Sequence, residues 1–337
     1  MKRLMLSVIM LMTAIAAMAQ QPEAALKFHA DSTFKIIQLT DLHFNPTMPE
    51  ESAKTFARMD YIVGEEHPDF IAITGDVIYG GHPSKELLKS IVARLDSYKV
   101  PYSIVYGNHD AEQEMSRAEM SQIIADGTYS LNTLNEAGEL ADIRLTITSD
   151  EEGNVDPFDI YMLDSHDYSQ MPDKVGGYAW FTKEQIDWMR SSCENATQAN
   201  GGCHVPSLAF FHIPFPEFYD AWVLAQEKRH NGVVGLRGEY GGHPRINSGM
   251  YATMLETGNV IGVFCGHDHD SDYIVPYYGM ALVYGRYSGD DSVYNHLAHG
   301  TRVILIKQGE SAFRTWIHED DGRIQYNVKF SDGEIAH

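Results

Sequence analysis

Short β-rich runs alternate along this chain with stretches whose apolar positions recur every three or four residues. The first pattern predicts strands and the second predicts amphipathic helices. Strands are expected over 34–39, 70–74, 102–106, 159–163, 207–211 and 260–265. Helices are expected over 53–66, 86–98 and 182–197. In the second helix Leu87, Leu88, Ile91, Val92 and Leu95 form the apolar stripe. At the start of the third, Thr182 and Gln185 have capping-box spacing, in which each side chain satisfies a backbone N–H of the other. Residues 111–156 are more polar and show no such period. Beyond Asp272 the chain turns β-rich, with runs at 278–284, 301–307, 312–318 and 324–330. This tail is expected to form a second sheet rather than a second domain. Strands alternating with helices make an α/β fold.

The amino terminus has a different character. Lys2 and Arg3 precede an uncharged apolar run over 4–17, and Ala17-Met18-Ala19 has the small-x-small pattern cut by signal peptidase. That is the layout of a secretory signal. Residues 1–19 are therefore expected to be removed, leaving 20–337 as one catalytic domain that is secreted or periplasmic. The apolar run is shorter than the roughly twenty residues a bilayer span requires. No Cys follows it to carry a lipid, so no stable membrane anchor is expected.

Composition narrows the picture further. Hydrophobic residues make up 44% of the 337 and charged residues 21%, which suits a globular chain with a real core. The formal net charge of −22 disfavours binding driven by phosphate-backbone contacts, so no nucleic-acid partner is expected. Export permits disulfides. Cys193 and Cys203 flank a polar stretch with two glycines, a spacing that fits either a local bridge or two separate thiols. Cys265 lies in an apolar run, as a small buried residue does.

Residues able to bind metals follow five of the expected strands. Asp41-Leu42-His43 follows the first, Gly75-Asp76 the second and Gly107-Asn108-His109-Asp110 the third. His212 follows the run at 207–211, and Gly266-His267-Asp268-His269 follows 260–265. In open α/β sheets the carboxyl ends of the strands line the functional crevice. Residues two apart in extended chain face the same side, so Asp41 with His43, and His267 with His269, can converge on one ion or on neighbouring ions. By the same rule the side chains of Asn108 and His109 diverge. Glycines beside these residues let the backbone turn sharply from strand into loop. With 16 histidines in the chain, a single Asp-x-His is unremarkable. Five such segments, each at a strand end, point to one metal centre. Carboxylate, imidazole and amide oxygen suit Mn, Fe or Zn.

These motifs resemble the calcineurin-like metallophosphoesterases, in the branch similar to purple acid phosphatases. The resemblance runs from about 34 to 307. It includes Tyr161-Met162-Leu163-Asp164-Ser165-His166, Gln185 with Trp188, Asn247-Ser248-Gly249 and Tyr284-Gly285-Arg286. It implies two facing mixed β-sheets flanked by helices, a four-layer α/β/β/α sandwich. It implies that Asp41, His43 and His269 hold one transition-metal ion, that Asn108, His212 and His267 hold a second, and that Asp76 bridges them. His109 would lie beside the bound phosphate, with Asp110 orienting it. Purple acid phosphatases take a Tyr ligand from Gly-Asp-x-x-Tyr; here Tyr79 has that place, but His43 is also present. His43 is preferred as the ligand, with Tyr79 as a wall residue.

The implied reaction is hydrolysis of a small-molecule phosphate monoester or diester by in-line attack of a hydroxide shared between the ions. His109 is the candidate acid for the leaving oxygen. Arg286 would either steady the phosphate or form an exposed salt bridge. Two rival functions remain open: an inactive metal-binding or scaffolding protein, and an amide or acyl hydrolase on the same site.

Overall fold

In strand β1 (Thr33–Leu39) successive side chains enter two different apolar layers. Phe34 and Ile36 join the core between two sheets, whereas Ile37 and Leu39 join a core beneath helices. Strand β2 (Phe70–Thr74) repeats this, with Phe70 and Ala72 on the first side and Ile71 and Ile73 on the second. A strand covered on both faces is apolar at nearly every position, which is why these runs stand out in the sequence. Each such Phe, Ile or Leu side chain, fully buried, contributes roughly 1.5–3 kcal/mol. The structure is a computed structural model and describes residues 26–80, 83–149, 156–228 and 232–337. The expected signal segment at 1–19 lies outside the described residues.

Helices α1 (Pro49–Glu66) and α2 (Lys85–Ser97) cover the outer face of the first sheet, which also contains β3 (Tyr102–Val105). Helix α1 begins four residues before the expected start, at Pro49. Proline is tolerated in the first turn because the N–H it lacks would have no helical partner there. The polar stretch after β3 holds α3 (Arg117–Ala125) and β4 (Ile143–Ile147), neither of which was expected. Then follow β5 (Phe158–Met162), α4 (Lys183–Ala199), β6 (Ser207–Phe210), α5 (Glu217–Lys228), α6 (Met250–Thr257) and β7 (Val260–Cys265). The predicted capping box forms at the head of α4, with Thr182 and Gln185 bonding reciprocally.

The carboxyl-terminal third supplies β8 (Ile274–Tyr277), β9 (Met280–Tyr284), β10 (Gly300–Lys307), β11 (Ala312–Glu319), β12 (Ile324–Ser331) and β13 (Glu334–Ala336). The first sheet runs β13-β12-β11-β10-β1-β2-β3 and the second β4-β5-β6-β7-β9-β8. The expectation that the tail makes a sheet of its own is therefore corrected. β10 pairs antiparallel with β1, opposing Phe34 to Ile306, and β10 to β13 extend the first sheet. The second sheet takes β4 to β7 from the middle of the chain and only β8 and β9 from the tail. Both sheets are mixed: β1-β2-β3 and β5-β6-β7-β9 are parallel, and their outer partners are antiparallel. Helices α4 and α6 cover the second sheet, where Met189, Cys193 and Met254 pack on Tyr161, Ala209 and Val263. The layers are helix, sheet, sheet, helix, as expected. Cys193 is buried in that layer and Cys203 is exposed; both are free thiols, so the bridge does not form. Cys265 is buried.

Candidate metal centre

The parallel strands of the two sheets end at a common edge, and hydrogen bonds between the sheets fasten that edge. Gln38 of β1 is fully buried and donates through Nε2 to the Cys265 carbonyl of β7 at 3.0 Å. His212, just beyond β6, places Nδ1 2.8 Å from the Thr74 carbonyl at the end of β2. The His267 N–H, just beyond β7, donates to the Asp41 carboxylate at 3.1 Å. Side chains from β1 and β2 thus meet side chains from β6 and β7.

They form two groups. Asp41, His43, Asp76 and His269 each offer an atom within 4.8 Å of the others, and Asp76, His212 and His267 do the same. Asp76 Oδ2 lies 3.5 Å from His43 Nε2 and 3.2 Å from His212 Nε2, so one carboxylate is common to both groups. His269 Nε2 is 3.6 Å from Asp41 Oδ1, and His267 Nδ1 is 3.2 Å from His212 Nε2. Asn108 lines the same cleft. Its Nδ2 donates to the Tyr168 hydroxyl at 3.2 Å, which leaves Oδ1 buried and unbonded.

The convergence has a different backbone origin from the one expected. Asp41, His43, Asp76 and His267 are not extended: their φ angles are 52°, 49°, 49° and 78°. Left-handed backbone at non-glycine residues is uncommon and costs energy, and it concentrates at functional sites. Asn108 is helical, with φ −71° and ψ −30°, so the extended-chain argument for its divergence from His109 also fails. Two glycines are needed for space rather than for turning. A Cβ on Gly107 would stand 2.1 Å from Asp76 Oδ1, and one on Gly266 would stand 1.9 Å from Thr40 Oγ1.

The donor set fits cations. Burial pushes the Asp41 carboxyl up, but the His43 imidazole 3.9 Å away and the charges of His212 and His269 outweigh it and hold Asp41 down at about 2. Burial lowers His43 and His212, yet Asp41 and Asp76 drive them up to about 9 and about 10. His267 goes the other way, to about 3, through burial and repulsion by His212. Two buried carboxylates thus draw positive charge between them, a demand that bound metal cations meet. Both ring nitrogens of His43 are buried without a hydrogen-bond partner, as is Asn108 Oδ1. Each such atom costs about 1–3 kcal/mol unless something coordinates it.

His109 lines the cleft beside these groups, but Asp110 does not orient it. The Asp110 carboxylate is buried and accepts the backbone N–H groups of Val77, Ile78 and Gly107 at 2.8–3.0 Å. The partner of the imidazole is Glu112, which sequence reasoning missed. Tyr168 was missed as well: its hydroxyl donates to Glu112 Oε1 at 3.0 Å and accepts from Asn108. The signal for Glu112 was its position three residues after His109; Tyr168 comes from a distant loop and carries none. Tyr79 lines the cleft with its ring centroid 5.3 Å from that of His43 and 4.8 Å from that of His109. Arg286 is neither exposed nor turned to the cleft. It is buried and pairs with Asp272 and Glu319. A larger cavity of about 780 Å³ shares Tyr168 with the cleft. Within it Arg117 pairs with Asp164, and the Gln185 amide donates to Asp142.

Comparison with known proteins agrees with this geometry. A protein of Arabidopsis thaliana named probable inactive purple acid phosphatase 29 is 32% identical over 302 residues, covering 80% of this chain and 75% of its own. Phosphatase DCR2 of Saccharomyces cerevisiae is 30% identical over 264 residues, 72% of this chain and 45% of its own. A solved dimetal phosphatase from Danio rerio superposes with a TM-score of 0.57 at 13% identity, over 89% of this chain and 99% of that one, a likeness of fold. The sequence profile of the calcineurin-like phosphoesterases matches residues 34–271, a span that holds both ligand groups. The chain belongs to the calcineurin-like phosphoesterase family, in its purple acid phosphatase-like branch.

Proposed function

We propose that this chain hydrolyses phosphate esters with two transition-metal ions held where the sheets meet. The observation that carries this is the Asp76 carboxylate shared by two buried ligand groups. Asp41, His43 and His269 would hold one ion, Asn108, His212 and His267 the other, and Asp76 both. Such ions, when bound, polarise phosphoryl oxygens and lower the pKa of bound water.

The chain's own groups do the rest. Tyr168 takes the Asn108 amide N–H, so the amide oxygen is the atom left for the ligand role. The His267 N–H and the Thr40 hydroxyl hold the Asp41 carboxylate in place. His109, with Nδ1 engaged by Glu112, has Nε2 free to give a proton to the leaving oxygen. Some relatives carry the word inactive in their names. Here the full ligand set stands together with His109, which favours catalysis over a purely metal-binding role. The leader at 1–19 fits export to the periplasm or beyond the cell.

The test is turnover by metal-replete protein, starting at Gln20, of p-nitrophenyl phosphate, bis-p-nitrophenyl phosphate and p-nitrophenyl acetate. Hydrolysis of a phosphate ester, abolished by chelation, is expected. Bound metal without phosphate-ester turnover would leave a binding protein, and metal-dependent turnover of the acetate alone would indicate an acyl hydrolase.

A further inference from the structure

The mouth of the cleft is made of tyrosines and carboxylates. The cleft holds about 380 Å³ and reaches from Asp76 and Asn108 out to Tyr79, Tyr168, Tyr178, Tyr240 and Tyr294. The inner rings pack on their neighbours. Tyr178 meets His267 edge-on with centroids 4.4 Å apart and stacks on Tyr168 at 5.9 Å. Tyr294 stacks on His269 at 4.6 Å. Tyr240 is 75% exposed at the rim, with the Arg237 guanidinium packed against its ring at 5.8 Å. A leaving group attached to a phosphate at the metal centre therefore leaves along a wall of aromatic side chains.

The charge of the wall is one-sided. Among the described residues that line the cleft none is Lys or Arg, whereas Glu239 and Asp268 are acidic. Arg237 lies behind the wall and is engaged by the rings of Tyr219, Trp222 and Tyr240. Glu239 accepts the Asp270 N–H at 2.7 Å and the Tyr294 hydroxyl at 2.8 Å, donors that oppose the upward push of burial on its carboxyl without cancelling it. The metal ions would neutralise the phosphate being cleaved. Among the described lining residues, a second anionic group further out would meet Glu239 and no Lys or Arg.

We propose that this cleft selects phosphate esters whose leaving alcohol is planar and carries no second anionic group. The proposal rests on the phosphatase function above and narrows its substrate class. Sugar bisphosphates and nucleoside polyphosphates fall outside it, and phosphate esters of neutral or cationic aromatic alcohols fall within it.

Three aryl phosphates of similar shape test the charge rule: 4-methylphenyl, 4-(carboxymethyl)phenyl and 4-(aminomethyl)phenyl phosphate. The parent should hydrolyse the anionic ester with kcat/KM about tenfold below the neutral one, the size of one like-charge contact at a half-exposed wall. Glu239→Lys should abolish or reverse that gap, and Glu239→Gln should narrow it, while the neutral ester serves as the check that each variant is folded. Benzyl against cyclohexylmethyl phosphate tests planarity, because both leave as alkyl alcohols. A preference of about threefold to tenfold for benzyl, reduced in Tyr240→Ala, is expected. Equal rates for the anionic and neutral esters in the parent, or a gap unchanged in Glu239→Lys, would overturn the charge rule. Equal rates for the two ring types would overturn the planar one. If no ester is turned over, the phosphatase function itself fails. Calorimetric binding of the matching phosphonates then gives the same comparison without turnover.

Discussion

The imidazole of His109 is paired with Glu112, its Nδ1 2.8 Å from the Glu112 Oε2, and not with its neighbour Asp110. The reason is local: residues His109–Glu112 form a turn of 3-10 helix, in which side chains three apart eclipse one another. Glu112 thereby sets which ring nitrogen faces the cleft.

The pairing predicts a dependence on leaving group. A general acid is typically worth about 10²–10⁴ in rate, most for poor leaving groups. His109→Ala should slow alkyl phosphates by that amount and p-nitrophenyl phosphate less, with both metals retained. Glu112→Ala should show the same pattern in weaker form. Rates for the two ester types, with metal content measured on each sample, decide it; equal slowing of both would remove the acid role.

Asp110 should act on the fold instead. It holds three buried backbone N–H groups that join the turn after β3 to Val77 and Ile78 after β2. Asp110→Asn offers one acceptor oxygen in place of two and should cost about 2–4 kcal/mol in denaturant unfolding. Unchanged stability would show that these bonds do not hold the loops together.

Tyr79 and His43 make a further test. The His43 ring is fully buried with both nitrogens unbonded, whereas Tyr79 contributes ring contacts at the wall. Tyr79→Phe should therefore leave metal content and the visible spectrum nearly unchanged. A strong visible band in the parent that vanishes in Tyr79→Phe would show tyrosinate bound to iron and reverse the assignment.

Metal removal should weaken the fold as well as stop turnover. Ligands that bind only the native state stabilise it by about 2.7 kcal/mol at a hundred times Kd. With two ions, chelation should lower Tm by roughly 5–15 °C. Asp76→Ala should lose both ions and resemble the chelated parent, whereas His43→Ala should chiefly weaken the first site. Elemental analysis beside thermal unfolding checks both, and two tightly held ions in Asp76→Ala would show that this carboxylate is not the bridge.

Much of this could be seen in the chain itself. β2 and β7 have the expected bounds because strands buried on both faces are apolar throughout. The α4 capping box was visible because it depends only on residues three apart. The seven candidate ligands were visible because each follows such a strand, and strand ends in parallel sheets share an edge.

What lay beyond the sequence depended on contacts between distant segments. That β10 pairs with β1, carrying the tail into the first sheet, is a pairing across more than 260 residues, and no local pattern records it. Arg286 is a buried charge because Asp272 and Glu319 surround it, and only the packed sheets supply both. The left-handed backbone at Asp41, His43, Asp76 and His267 is unfavourable for each residue alone; hydrogen bonds such as those from Asp41 N–H to Gly75 and from His43 N–H to Asp76 hold it in place. The sequence by itself thus determined which residues reach the sheet edge, through the periodicity of burial. Tertiary structure alone decided how they face one another, because the bonds that turn each side chain inward come from a strand remote in the chain.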